Sequence, residues 1–254
     1  VWTLKYTLEA IDFLKKNHTE RYAALCKKAS FDEANETSQW KDIVENMYLP
    51  WDEERQIYLQ QDGFLDKDLT PASEINPAER PISQHWSWDR ILRSPYIKQA
   101  DTLQSLFWFE ERYETEFIAR HFDFYEPLTV HESSLSSCVH TVLAAKIGRP
   151  EKAYEMYLRT SRLDLDDYNN DTEDGLHITS MGGTWMAVVM GFGGMRVRDG
   201  KLTFNPILPD GWTGYSFMIR FRGALLKVNV NKDNVEVINE SPIKVEVLLN
   251  GKEI

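Results

Sequence analysis

Three short stretches of the sequence bring together residue types that could do chemistry. The first, His131-Glu132-Ser133-Ser134-Leu135-Ser136-Ser137-Cys138-Val139-His140, runs into a helical pattern. Hydroxyls clustered at a helix start stand beside unpaired backbone N–H groups and the positive end of the helix dipole, an arrangement suited to an oxyanion. Ordinary N-capping by one serine accounts for the same pattern. The second, Gly175-Leu176-His177-Ile178-Thr179-Ser180-Met181-Gly182-Gly183-Thr184-Trp185, also enters a helix. Its paired glycines permit close approach of a ligand to the backbone, and His177 can donate to an anion. A histidine ahead of a helix serves equally as a packing or capping residue. The third, Gln84-His85-Trp86-Ser87-Trp88-Asp89-Arg90 followed by Tyr96-Ile97-Lys98-Gln99-Ala100-Asp101, sets tryptophans beside Lys98, Gln99 and Asp101. Aromatic rings stack on the CH faces of sugars while a few aimed polar groups bond the hydroxyls. Equally, Trp86 and Trp88 could be core residues, with Lys98, Gln99 and Asp101 on the wet face of a helix.

Carboxylates are plentiful, among them Asp52, Glu53, Glu54, Asp62, Asp66, Asp89 and the run Asp164, Asp166, Asp167. Inverting glycosyl transfer to water needs two of them about 6.5–9.5 Å apart, and spacing in sequence does not select the pair. Most belong on a solvated surface. Asp62, inside Gln60-Gln61-Asp62-Gly63-Phe64, has the most site-like setting, because the loop around it is aromatic.

The elements that must position these groups are mainly helical. Spacing of apolar residues predicts helices over 2–16, 19–29, 32–47, 94–108, 110–121, 133–146, 150–161 and 182–192, as in the set Trp40, Ile43, Val44 and Met47. Between 48 and 93 runs a long aromatic and polar stretch with Trp51, Tyr58, Phe64, Trp86 and Trp88. A loop of that length in a compact domain is usually functional. Paired helices joined by such loops point to a toroid of helical hairpins. From Met195 the period becomes two. Met195–Arg198 and Lys201–Phe204 read as a hairpin around Asp199-Gly200, followed by strands over 215–222, 225–230, 234–238 and 243–249. The expected fold is therefore a mainly α body over 1–194 and a small antiparallel β module over 195–254.

Composition bounds the function. The chain has 254 residues, 42% of them hydrophobic and 12% aromatic, enough for a substantial core. A net charge of −11 argues against a nucleic-acid partner or an acidic membrane surface. Cys26 and Cys138 are the only cysteines. Their separation suits neither a disulfide framework nor a zinc site, and the expectation is a reducing, cytoplasmic setting. The helical pattern begins at Val1 without an initiator Met or a capping residue. The expectation is that these residues are the C-terminal part of a longer protein.

Together, His-Trp-Ser-Trp-Asp-Arg-Ile-Leu-Arg-Ser-Pro-Tyr-Ile-Lys-Gln-Ala-Asp (85–101), His-Glu-Ser-Ser-Leu-Ser (131–136) and Leu-His-Ile-Thr-Ser-Met-Gly-Gly-Thr-Trp (176–185) resemble glycoside hydrolase family 65. The stretch 162–175 is similar to the branch of that family that acts on maltose. The resemblance covers essentially the whole chain and corresponds to the C-terminal third of the family's longer proteins. It implies the later part of an (α/α)6 barrel followed by a β domain. The chemistry implied is inverting phosphorolysis, in which phosphate attacks the anomeric carbon of an α-glucoside and a carboxylic acid protonates the leaving oxygen. The products are β-glucose 1-phosphate and glucose. By the same resemblance, Lys98 and Gln99 bond the glucosyl unit. Ser133, Ser134 and His177 hold phosphate, helped by backbone N–H groups near Gly182 and Gly183. The general-acid Glu of the pattern would lie upstream of Val1, so these residues alone are expected to be inactive. Homodimers are common in the family, and neither an organic cofactor nor a metal is implied. Trehalose, kojibiose or nigerose as substrate, hydrolysis in place of phosphorolysis, and a non-enzymatic carbohydrate-binding module are the alternatives.

Overall fold

A computed structural model describes residues 1–254. The chain forms two compact units, Val1–Pro50 and Trp51–Ile254. The first holds helices α1 (Trp2–Asn17), α2 (Thr19–Ala29) and α3 (Glu33–Asn46). Asp32 caps α3 by accepting from the Asn35 N–H at 3.2 Å, and the Asp32 N–H donates back to Glu36 at 3.0 Å. Glu33 joins the three helices, taking Lys15 of α1 and, at 2.8 Å, the Tyr22 hydroxyl of α2. Ile11 is the buried hydrophobic residue of this unit, and Tyr6, Phe13, Leu25 and Met47 are exposed.

The second unit opens with the short hairpin β1 (Trp51–Asp52) and β2 (Ile57–Tyr58). Helices α4 (Ile82–His85), α5 (Trp88–Arg93), α6 (Thr102–Trp108), α7 (Thr115–Tyr125), α8 (Ser137–Lys146), α9 (Pro150–Ser161) and α10 (Ile178–Met186) follow, the last continuing as π-helical turns over Ala187–Phe192. Small and apolar side chains all round α8 bury every residue from Ser137 to Ala144, so this helix sits inside the body rather than on it. Gly148, at φ +74°, supplies the left-handed turn after α8, and Pro150 starts α9 with φ already set for a helix. That short link makes α8 and α9 antiparallel neighbours. Phe64, Leu103, Leu106, Ile118, Phe122, Leu143 and Phe192 form the core between these helices.

The β part begins with β3 (Arg196–Arg198) and β4 (Lys201–Phe204), paired around the Asp199-Gly200 turn as the spacing predicts. Strands β5 (Gly214–Phe221), β6 (Ala224–Asn231) and β7 (Val235–Asn239) make an antiparallel sheet. Alternation in β6 buries Ala224, Leu226, Val228 and Val230 on one face. β8 (Val247–Leu249) and β9 (Lys252–Glu253) complete the other sheet, whose order is β3-β4-β8-β9. There β4 and β8 run parallel, Leu202 opposite Val247, so this sheet is mixed rather than purely antiparallel. Val189 of the π-helical turns packs into the same core as Leu202, Phe204 and Val247 and fastens the sheets to the helical body.

Four helices differ from their predicted spans: the one expected over 110–121 runs Thr115–Tyr125 and the one expected over 133–146 begins only at Ser137. The stretch 94–108 is helical only from Thr102, because Pro95 lacks an N–H and restrains Ser94 before it. Ile97 instead forms a parallel bridge with Thr129, donating to the Leu128 carbonyl at 3.0 Å and accepting from the Val130 N–H at 2.9 Å. Lys98 and Gln99 thus lie in a bend directly after that bridge and not on a wet helix face. The last predicted helix starts at Ile178, four residues before Gly182.

Candidate functional site

The extended bridge at Ile97 sets Lys98 and Gln99 at a cavity of about 390 Å³, where Tyr96, Asp101 and Gln60 also line the wall. Gln60 donates to Asp101 across it. Gln99 faces the serine-rich segment: its Oε1 accepts from the Ser133 hydroxyl at 2.6 Å. Ser133 Oγ also accepts from the Leu135 N–H at 3.2 Å. Ser134 is half-buried beside it. Ser136, at the start of α8, makes no capping bond with its side chain, because its hydroxyl meets His131 Nδ1 at 2.8 Å instead. Ser136 thus leaves α8 uncapped, and the serine that bonds backbone is Ser133, in the turn ahead of the helix. The N-terminal N–H groups of α8 have no side-chain cap.

His177 opens α10 and is held by two carboxylates. Its Nδ1–H donates to Asp164 Oδ1 at 2.6 Å and its backbone N–H to Asp164 Oδ2 at 2.8 Å. Asp171 Oδ2 stands 3.4 Å from Nε2. The Asp164 hydrogen bond, reinforced by the charge of Asp171, outweighs burial and raises the imidazole above its ordinary range. Asp164 reads from sequence as one of a solvated run, yet its position in the loop entering the His177 helix is the signal that marks it. Gly182 and Gly183 lie in the second turn of α10, and the unpaired N–H groups of that helix belong to its first turn. Gly182 faces open space, whereas a Cβ on Gly183 would stand 2.9 Å from Cys138 Cβ. A Cβ on Gly191 would stand 3.2 Å from Thr141 Cγ2. Contacts therefore advance in the same direction along both helices, and α8 and α10 start on the same side of the body.

The aromatic segment splits. Trp86 is half-buried, donating to Glu79 at 3.2 Å, with the Arg90 guanidinium 3.5 Å from its ring centre. Trp88 is exposed. Asp62 carries no resolved role here. Sequence reasoning also missed a polar cavity of about 410 Å³ behind the serine segment, lined by Arg80, Glu126, His131, Lys152 and Arg159. Lys152 bonds Glu126 at 3.1 Å and Arg159 bonds the His131 carbonyl at 3.0 Å. Burial works to raise the Glu126 carboxyl, but contacts from His131 and Lys152 prevail and hold it at about 2. No cluster of three or more His, Cys, Asp or Glu residues could hold a metal ion, and no helix is long and apolar enough to cross a membrane.

Residues 1–186 match the glycosyl hydrolase family 65 central catalytic domain, and residues 195–254 match the C-terminal domain of the same family. A maltose phosphorylase of Bacillus subtilis is 48% identical over 97% of the chain, which is 32% of that relative. An alpha,alpha-trehalose phosphorylase of Thermoanaerobacter brockii is 38% identical over 99% of the chain and 33% of its own length. A solved structure provisionally titled a kojibiose phosphorylase, from human microbiome, superposes with a TM-score of 0.88 at 35% identity, covering 99% of this chain and 33% of that one. The chain thus spans about a third of the length of the relatives it matches.

Proposed function

The chain belongs to glycosyl hydrolase family 65, and on that footing we propose that it is the C-terminal part of an inverting disaccharide phosphorylase with maltose as its first substrate. On this reading residues 1–194 belong to the later part of an (α/α)6 barrel and 195–254 form its β domain. The general-acid Glu comes from outside these residues, which alone do not turn over. The enzyme is a cytoplasmic homodimer that uses inorganic phosphate as co-substrate. Lys98 and Gln99 bond the glucosyl unit at the cavity they line. Ser133, Ser134 and His177 take phosphate, with backbone N–H groups of the first turn of α10, one turn ahead of Gly182 and Gly183. Phosphate oxygen attacks the anomeric carbon, the glycosidic C–O bond breaks, and the acid's proton goes to the leaving oxygen. Ile178, Met181 and Trp185 leave an apolar stripe on α10 uncovered, which a partial barrel requires.

The observation that carries the reading is the pair of helix starts on one side of the body. Neither has a side-chain cap; one bears Ser133 bonded to Gln99, the other His177. Two helix dipoles, one with an imidazole whose cationic form is favoured at its start, suit a phosphate dianion where a hydrolase would keep a base. The test is sugar release from maltose by the full-length protein with and without phosphate. Phosphate-dependent β-glucose 1-phosphate is expected, with trehalose, kojibiose and nigerose cleaved more slowly. Glucose released equally well without phosphate would make the enzyme a hydrolase. Lys98→Ala should raise the KM for maltose about tenfold, the loss of one charged hydrogen bond, and leave the KM for phosphate nearly unchanged.

A further inference from the structure

We propose that Asp164 is the positioning residue that aims the His177 ring and fixes its Nδ1–H, and that Asp171 is the internal competitor that phosphate displaces from His177 Nε2. The inference rests on the reading that His177 holds phosphate. Its own ground is the unequal grip of the two carboxylates. Asp164 grasps His177 twice, through Nδ1–H at 2.6 Å and through the backbone N–H at 2.8 Å, and so fixes both ring orientation and tautomer. Its side chain is only 13% exposed. Asp171 is 31% exposed and stands at 3.4 Å from Nε2, too long for a strong charge-assisted bond.

The loop geometry supports separate roles. Asp164 lies just beyond the end of α9, whose Thr160 carbonyl accepts from Ser180 Oγ of α10, so its position is tied to both helices. Asp171 lies farther along the loop, next to Asn170 at φ +51°; its N–H and that of Thr172 donate to Asp167 Oδ1 at 3.1 and 3.2 Å. That local turn holds Asp171 without fixing it to a helix. Asp164 and Asp171 are the charged groups that act on the imidazole, and both favour its cationic form. An anion arriving at Nε2 must therefore meet a ring that Asp164 orients and whose cationic form Asp164 favours, and must replace the weak contact with Asp171. Neutralising the two carboxylates should change phosphate affinity in opposite directions, which a shared scaffolding role would not do.

The experiment uses the full-length enzyme, with inorganic phosphate as the varied substrate and maltose saturating, across a pH series. Asp164→Asn should raise the KM for phosphate about tenfold near neutral pH, and its alkaline rise should begin at a lower pH than that of the unsubstituted enzyme. Asp164→Glu should restore most of the lost affinity. Asp171→Asn should lower the KM for phosphate a few-fold at the acid end of the series, where protonation of the imidazole is most favoured. Phosphate's own titration is common to all variants and cancels in the comparison. An Asp164→Asn profile parallel to the unsubstituted one, or a raised phosphate KM in Asp171→Asn, would overturn the proposal. Should Asp164→Asn fail to fold, the sign of the Asp171→Asn change decides. His177→Ala separates the levels: an unchanged phosphate KM sinks the reading of the site itself. A raised KM, with the Asp164→Asn profile unmoved, sinks only the assignment made here.

Discussion

His131 and His140 meet edge to face with ring centres 4.5 Å apart, both inside the helical body. His140 Nδ1–H donates to the Ser136 carbonyl at 2.9 Å, and its Nε2 has no protein partner. Burial pushes His140 down to about 3 and lowers His131 as well. Such groups take up protons in the unfolded chain before the folded one, so they leave stability whole above about pH 6.5 and erode it as the pH falls. Glu126, held at about 2, acts lower down: its contribution is complete above its ordinary value of 4.5 and is lost as pH falls through about 2. Acid unfolding should therefore proceed in two stages. Urea unfolding of the full-length protein should show the first, about 2 kcal/mol from His140 between neutral pH and about pH 5. His140→Gln should flatten that stage, and coincident pH curves for both proteins would remove the histidine from the account. At this scale the sequence was half legible. The serine-rich segment stands out by composition, but nothing local reveals that His131 and His140 are buried or that Asp164 leaves its solvated run to clasp His177. Those facts depend on partners at separations of five to dozens of residues.

The seam between α8 and α10 depends on one missing side chain. Gly183 lies against Cys138, where a Cβ would come within 2.9 Å of Cβ and 3.1 Å of Sγ, while its neighbour Gly182 meets nothing within 4 Å. Gly183→Ala should then cost about 1–3 kcal/mol through overpacking. Gly182→Ala, relieved of glycine's backbone entropy in a helix, should gain up to about 1 kcal/mol. Melting temperatures that fall for the first variant and rise for the second check the argument; equal shifts would show that the two positions pack alike. Helices α1, α2, α3 and α9 were legible within a residue or so because their apolar spacing is regular and their ends carry clear signals, such as Asp32 and Pro150. The stretch 94–108 was not, since the bridge from Ile97 to Thr129 is non-local and overrides helical spacing. The same override gave Lys98 and Gln99 their place at a cavity, so the misread element is the one that carries part of the candidate site.

Across the second unit, the helical body and the β sheets are joined by a buried ionic knot. Glu110, 3% exposed, takes the guanidinium groups of Arg196 and Arg198, and Arg196 Nη1 also donates to the Met195 carbonyl at 2.8 Å. Glu110→Ala would leave the largely buried Arg196 without its carboxylate, while Arg198 keeps Glu111 at 2.7 Å, and should cost about 3 kcal/mol. Calorimetry of the full-length protein should show a lowered transition, and an unshifted one would mean the apolar contact at Val189 holds the parts together unaided. The change of period near Met195 announced the β module, but the parallel pairing of β4 with β8 was invisible because 42 residues of other structure separate the first strand's end from the second's start in the chain. Cys138, 4% exposed in the α8–α10 seam, adds a consequence of another kind. Burial pushes its thiol up and keeps reagents away, while Cys26 remains half-exposed. An alkylating dye should therefore label Cys26 at once and Cys138 only when the two helix starts part, making its slow modification a clock for breathing of the helical body.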